Sequence, residues 1–400
     1  MLCSCRIAAA AAVLASVLLV PSASAGDYVP GQVIVKFKDG TSPAKQTTVL
    51  DRAGAFGRLG QIWGSGARVV RVTGGARDAA ATLQKSSAVE YAEVDKYLTA
   101  AAVPNDPRFG EQYALDMINA PEGWDLAGLS AFPTTGGVKV GIIDTGIDRS
   151  HPEFAGRISD CAQSTTVFLV GTGIREGCAD VDGHGTQVAG ILGARANNGI
   201  GVTGVAFNSP LAICRALEDG LGRGSTSNIV NCINWLRARG AKVISMSFGG
   251  ASSTTLHNAI KSAWSNGKGA VLVAAAGNHG GYTTVYPAGY SEVISVAATD
   301  ATDGWWGGSN RNADVEVAAP GVEILTTTLD GGYANGTGTS AATPYAAGVA
   351  ALMRYQYPGM TATGVKYWLG WATDDLGEPG RDSYYGFGRV NLCKAMAGNC

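Results

Sequence analysis

A hydroxyl, an imidazole and a carboxylate each stand in this chain among residues too small to crowd a bound molecule. Asp144 lies in Val140-Gly-Ile-Ile-Asp-Thr-Gly146, His184 in Asp182-Gly-His-Gly-Thr-Gln-Val-Ala-Gly190, and Ser340 in Gly338-Thr-Ser-Ala-Ala-Thr-Pro344. A serine hydroxyl is a weak nucleophile until a neighbour takes its proton, and an imidazole titrates near the working pH. A carboxylate that accepts from the other ring nitrogen fixes the imidazole's tautomer. A fourth stretch, Ala274-Ala-Ala-Gly-Asn278, brings an amide to the end of an apolar run. With the backbone N–H of Ser340 at a helix start, the Asn278 side chain would offer donors to an oxygen on which negative charge develops. Taken singly, each residue has a plainer use: Asp and Ser cap helices, and a lone His is more often packed or on the surface. The conjunction is what points to acyl transfer through a serine.

The elements that must carry these residues can be read from the pattern of apolar runs. Strand-like runs at Val138–Ile143, Leu211–Leu217, Val243–Ser247, Ala270–Ala275 and Val293–Ala298 alternate with helical stretches that include His184–Ala196, Ser227–Arg239 and Ser340–Tyr355. Such alternation predicts a parallel sheet covered on both faces. Asp144 and Asn278 then fall at carboxyl ends of strands, where open α/β sheets build their sites.

Together the four stretches, in the order Asp, His, Ser, resemble the subtilisin family of serine peptidases. The resemblance implies an α/β fold, a doubly wound, mostly parallel sheet flanked by helices. It implies Asp144, His184 and Ser340 as catalytic triad and Asn278 as oxyanion donor. For the equivalent asparagine of subtilisin, removal raises the barrier by about 2.7–4 kcal/mol, a figure that belongs to that enzyme. Two neighbours depart from the commonest family pattern: Ala341 stands where many subtilisins carry Met, and Gln187 replaces a frequent His. Neither change removes a catalytic atom.

Ahead of this region the chain reads as two further segments. Residues 1–25 have the form of an export signal: Arg6, an apolar run from Ile7 to Val20 broken only by Ser16, then Ala23-Ser-Ala25. The run is shorter than the ~20 residues of a membrane span. From 26 to 101, a strand at Gln32–Lys38, a helix at Pro43–Arg52, a strand at Ala67–Val72, a helix at Ala76–Lys85 and an extended Ala88–Tyr97 resemble the inhibitory propeptide of subtilases, a small α+β module of split βαβ layout. The small-residue linker Thr99-Ala-Ala-Ala-Val-Pro104 suits proteolysis, and the resemblance implies residues 102–400 as the peptidase domain. Once the signal is gone, six cysteines remain, which argues for disulfides in an exported chain. Sequence proximity favours Cys161–Cys178, Cys214–Cys232 and Cys393–Cys400 among fifteen connectivities.

Composition excludes other classes. Thirty basic against 32 acidic side chains leave no field for nucleic acid. Charged residues at 16 % fall below the roughly 25 % of soluble proteins, and 57 glycines suit a compact enzyme with many tight turns. Gly199-Ile-Gly-Val-Thr-Gly204 matches a dinucleotide fingerprint, but lies between a helix and a strand in the wrong order. The overlapping stretch Ala196-Asn-Asn-Gly-Ile-Gly-Val202 instead looks like the calcium loop of thermitase-type subtilases. There Asp106, Glu153, the Asn198 amide and the carbonyls of Ala196, Ile200 and Val202 would make an all-oxygen set for Ca²⁺; an ordinary polar turn is the alternative. The family pattern also implies that an extended substrate pairs with Gly222-Arg223-Gly224 and Ser247-Phe248-Gly249. Val285 is expected at the base of the pocket for the residue before the cut. The expectation is a secreted, monomeric endopeptidase, extracellular or periplasmic in transit, acting on proteins and peptides. Its own propeptide would inhibit it; it would need no organic cofactor and touch no membrane after signal removal. A catalytically inactive binding or surface protein on the same fold is the alternative.

Overall fold

The computed structural model describes residues 28–97, 103–167, 171–217, 222–398 and 400. The export signal expected at 1–25 and residues 98–102 of the linker lie outside them. The chain divides into two compact units, Met1–Ala100 and Ala101–Cys400.

The first unit runs β1 (Tyr28–Phe37), α1 (Pro43–Arg52), β2 (Ala55–Gln61), β3 (Arg68–Val72), α2 (Ala76–Gln84) and β4 (Val89–Lys96). Its strands pair antiparallel in the order β2-β3-β1-β4. Ser42 caps α1 by accepting from the Lys45 N–H, and Pro43 supplies a preset first turn. Val33, Val35 and Phe37 alternate inward from β1 onto Val70, Val72, Val49, Ala79 and Leu83. Strand β2 is the one that the sequence did not reveal. Residues Phe56 to Leu59 are all exposed, so it shows no alternation, and backbone pairing to β3 defines it.

The second unit opens with α3 (Tyr113–Met117) and α4 (Ala120–Leu126), followed by β5 (Val140–Asp144), β6 (Ile158–Val167), β7 (Gly171–Glu176) and α5 (His184–Gly193). Next come β8 (Leu211–Arg215), α6 (Thr226–Ala238), β9 (Val243–Met246), α7 (Thr254–Trp264), β10 (Val271–Ala275), β11 (Val293–Thr299), β12 (Val315–Pro320), β13 (Ile324–Thr327) and β14 (Tyr333–Gly336). The chain ends with α8 (Thr339–Gln356), α9 (Ala362–Trp371), β15 (Thr373–Asp374), β16 (Arg389–Val390) and α10 (Leu392–Ala397). The main sheet has the order β15-β16-β12-β11-β10-β9-β5-β8-β6-β7, parallel from β16 to β6 and antiparallel at both edges.

Neighbouring residues on each central strand face opposite cores, which is why these strands read as unbroken apolar runs. Ile142, Ile213 and Val273 pack toward α5 and α8, whereas Ile143, Ala212 and Leu272 pack toward α6 and α7. Helix α5 ends at Gly193 and not at Ala196, because Ala194 has left helical geometry at the C-cap. The three disulfides are Cys161–Cys178, Cys214–Cys232 and Cys393–Cys400. The second ties β8, the neighbour of β5, to α6.

Candidate active site

Asp144 ends β5 wholly buried and accepts the Thr145 N–H at 2.8 Å through Oδ1. The turn after it needs glycine. Gly146 has φ +126°, and a side chain there would meet the Cys178 carbonyl at 2.6 Å. A side chain on Gly185 would come within 2.2 Å of the Gly146 carbonyl, so the small residues of two motifs let β5's turn and the start of α5 close on each other. Thr145 Oγ1 accepts the Gly185 N–H at 2.8 Å across that contact.

His184 is thereby the first residue of α5, with its Nδ1 at 2.6 Å from Asp144 Oδ1. The other carboxylate oxygen, Oδ2, is buried and meets no partner among the described residues. The Asp144 charge acts on the imidazole at short range and, against the effect of burial, raises the His184 pKa above its usual value. Asp180, which the sequence reading passed over, sets this helix start. Its Oδ1 accepts from Gly183 N–H at 2.9 Å, and its Oδ2 from the Thr186 N–H at 2.9 Å and hydroxyl at 2.7 Å. Burial works against the Asp180 charge, yet these donors hold its pKa below the usual carboxylate range. The N-cap itself is Gly183, which has no side chain to cap with, so an Asp three residues ahead of it lies outside the usual N-cap spacing.

Ser340 is the second residue of α8, and it lines one small pocket of about 60 Å³ together with His184, Gln187, Thr337 and Ala341. Asn278 stands on its other side. A side chain on Gly338, whose φ is +152°, would meet Asn278 Nδ2 and Ser340 Oγ at 3.2 Å each. The Thr339 N–H and hydroxyl both donate to Asn278 Oδ1, at 2.9 and 2.7 Å, which leaves the amide nitrogen turned toward Ser340's side.

Gly222, Arg223, Gly224, Phe248 and Gly249 border a single cleft of about 360 Å³, with Leu217, Ile229, Leu256 and Tyr286 as its apolar walls. Ser247 lies beside it and donates to the Ser340 carbonyl at 3.0 Å. Val285 is buried between two glycines: its Cγ2 would lie 2.8 Å from a Cβ on Gly249 and 3.1 Å from one on Gly277.

The six oxygen-bearing residues proposed for a cation are also brought together. Asp106 accepts from the N–H groups of Asn197 and Asn198, at 2.8 and 2.9 Å, and from the Thr203 hydroxyl. Glu153 takes the Asn198 amide and the Val202 N–H, both at 2.8 Å, and the Tyr333 hydroxyl at 3.0 Å. Among the described residues the carbonyls of Ala196, Ile200 and Val202 accept no hydrogen bond, so three oxygens of the set are unspent. That fits a hard cation. Asn198 donates its amide nitrogen to Glu153 at 2.8 Å, and its Oδ1 accepts the Ile200 N–H at 3.1 Å. No three His, Cys, Asp or Glu side chains converge among the described residues.

Residues 135–388 match the model of the subtilase family, and residues 15–95 that of the fervidolysin N-terminal prodomain. The chain is 34 % identical over 376 residues to a thermophilic serine proteinase of Bacillus sp. strain AK1, covering 93 % of this chain and 88 % of that one. It is 38 % identical over 298 residues to thermitase of Thermoactinomyces vulgaris, covering 73 % of this chain and 99 % of the other. Two further relatives are named as extracellular proteases. A solved protease from Pseudoalteromonas arctica PAMC 21717 aligns with a TM-score of 0.66 at 31 % identity, over 74 % of this chain and 99 % of its own.

Proposed function

The chain belongs to the subtilase family and is a serine endopeptidase with an N-terminal prodomain, and within that frame we propose that Ser340 is its nucleophile, His184 its general base and acid, and Asp144 the group that orients His184. The observation that carries this reading is the 2.6 Å contact of His184 Nδ1 with Asp144, on an imidazole that shares its pocket with Ser340. With Nδ1 committed, Nε2 is the nitrogen left to take the Ser340 proton. The hydroxyl oxygen attacks the peptide carbonyl, and the Asn278 amide and the Ser340 N–H receive the oxyanion. His184 then protonates the leaving amine, and water, activated by the same imidazole, releases the acyl group from Ser340. All four polar groups are retained, which favours an active enzyme over an inactive relative.

The test is labelling with a serine-directed phosphonate. One adduct on Ser340 of the mature enzyme, slowed by His184→Ala, is the expected result; a Ser340 that stays unlabelled while the enzyme cleaves protein overturns the assignment.

Further parts of the reading go with this one. Residues 1–25 direct export, residues 26–101 inhibit the peptidase until cut, and 102–400 are the mature enzyme, working as a monomer outside the cell on proteins and peptides. Among the described residues no helix is long and apolar enough to cross a membrane. The substrate lies extended between Gly222–Gly224 and Ser247–Gly249, with the side chain before the cut directed at Val285. Asp106, Glu153, Asn198 and the carbonyls of Ala196, Ile200 and Val202 would hold one Ca²⁺, whose role is to fix the 196–203 loop. No catalytic step uses it.

A further inference from the structure

Lys366 lies on α9, about eighty residues along the chain from Val285, yet its ammonium ends among oxygens of the segment that carries Val285. Its Nζ donates to the carbonyls of Ser291 and Val293, at 2.8 and 3.0 Å, and lies 3.6 Å from Glu316 Oε2 on β12. Glu316 is shared with Arg381, which donates to the carbonyls of Ala313 and Val315 at 2.7 and 2.9 Å. Burial lowers the Lys366 pKa, and the Glu316 charge opposes that loss.

The segment from Thr284 to Val293 is held from two sides. On one side Ala288, Gly289, Tyr290, Ser291 and Val293 border an open space of about 370 Å³ that Lys366 also lines; Ala288, Tyr290 and Val293 are packed into the core, and the exposed Ser291 is held there by the ammonium. Toward the substrate cleft the same segment is tightly tied. Gly250 and Tyr286 exchange both backbone hydrogen bonds at 2.9 Å, and Val285 fills the gap between Gly249 and Gly277. Within the segment the Gly289 N–H returns to the Val285 carbonyl at 2.8 Å, and the Val293 N–H to that of Tyr290 at 2.9 Å. A shift at residues 291–293 therefore passes through short backbone bonds to Val285. We propose that Lys366 is a positioning residue for the substrate pocket: its ammonium clamps the carbonyls of Ser291 and Val293 and so sets the depth at which Val285 closes the pocket. This rests on the reading of Val285 as the pocket base.

The experiment compares mature wild-type enzyme with Lys366→Met, Lys366→Gln and Val285→Gly on three peptides that differ only in having Gly, Ala or Phe before the cut. For Lys366→Met, the preference between Ala and Phe should shrink about threefold to tenfold, while kcat/KM on the Gly peptide, which puts no side chain in the pocket, stays within about twofold. Lys366→Gln, which keeps an N–H donor, should fall between it and wild type. A purely structural lysine would lower the melting temperature and slow all three peptides alike, and that outcome overturns the proposal. Should Lys366→Met fail to fold, Glu316→Gln, which weakens the hold on the ammonium, must move the same ratio in the same direction; an unmoved ratio overturns it equally. The pocket reading is judged separately by Val285→Gly. If that variant changes the ratio and neither Lys366→Met nor Glu316→Gln does, the clamp fails and the pocket stands. If it does not, the pocket reading fails, and the clamp, which acts through Val285, falls with it.

Discussion

Ser247 supplies to Ser340 the hydrogen bond that the helix withholds. In an α-helix the carbonyl of residue 340 would accept from the N–H of residue 344, but that residue is Pro344 and has none. The Ser247 hydroxyl takes the place at 3.0 Å, so the segment leading into Phe248 and Gly249 and the helix that carries Ser340 are joined. Ser247→Ala leaves that carbonyl without its partner, at a cost of about 1–3 kcal/mol. The expected outcome is a lower melting temperature and a reduced kcat, read by thermal unfolding and steady-state kinetics. Wild-type values for both would show that the bond contributes nothing.

The pH dependence follows from the raised His184 pKa. Catalysis needs the neutral imidazole, so kcat/KM should rise with pH through a value above the usual ~6.5. Stability runs the other way. The pairing of charged His184 with Asp144 stabilises the fold fully below about pH 6.5, and the contribution is lost as pH climbs through the raised pKa. In Asp144→Asn the residual activity should have its acid limb moved down toward the ordinary imidazole value. A limb that stays where the wild type has it would show that Asp144 does not set it.

Val285→Gly removes the branched side chain between Gly249 and Gly277 and should deepen the pocket. Cleavage of a peptide library is expected to shift toward Phe and Tyr before the cut by about 10- to 200-fold, the scale of a changed apolar fit. An unchanged profile would make Val285 a core residue only.

Calcium, if bound by the folded state alone, adds RT ln(1 + [L]/Kd), about 2.7 kcal/mol at a hundred times Kd. Chelation should lower the melting temperature of the mature enzyme and hasten its self-digestion, and Asn198→Ala should abolish most of the difference. A melting temperature indifferent to both would mean that Asp106 and Glu153 hold the loop through their hydrogen bonds alone.

What could be read in advance divides along a physical line. Asp144, His184, Asn278 and Ser340 each sit in a short motif whose glycines and alanines announce a close approach, and the central strands are buried on both faces and so unbroken in hydropathy. Thr145 and Ser247 act on the site through bonds to backbone atoms distant in sequence, and Asp180 bonds the start of α5 from three residues ahead of its N-cap, so the usual local spacings record none of the three. Strand β2 is held by pairing rather than burial, and the β6–β7 hairpin lies at the sheet edge, so neither carries a strong apolar rhythm. Helix α5 ends three residues before its apolar pattern does, because Ala194 turns out of the helix and lets the chain enter the 196–203 loop.

The central claim, that Ser340 attacks the peptide bond, is tested most directly on the precursor. Ser340→Ala is expressed in cells lacking other peptidases, and the intact mass of the purified chain is measured. The expected result is a folded precursor uncut near residues 99–103, which is trimmed there only when mature wild-type enzyme is added. A Ser340→Ala precursor that processes itself at the wild-type position would contradict the assignment.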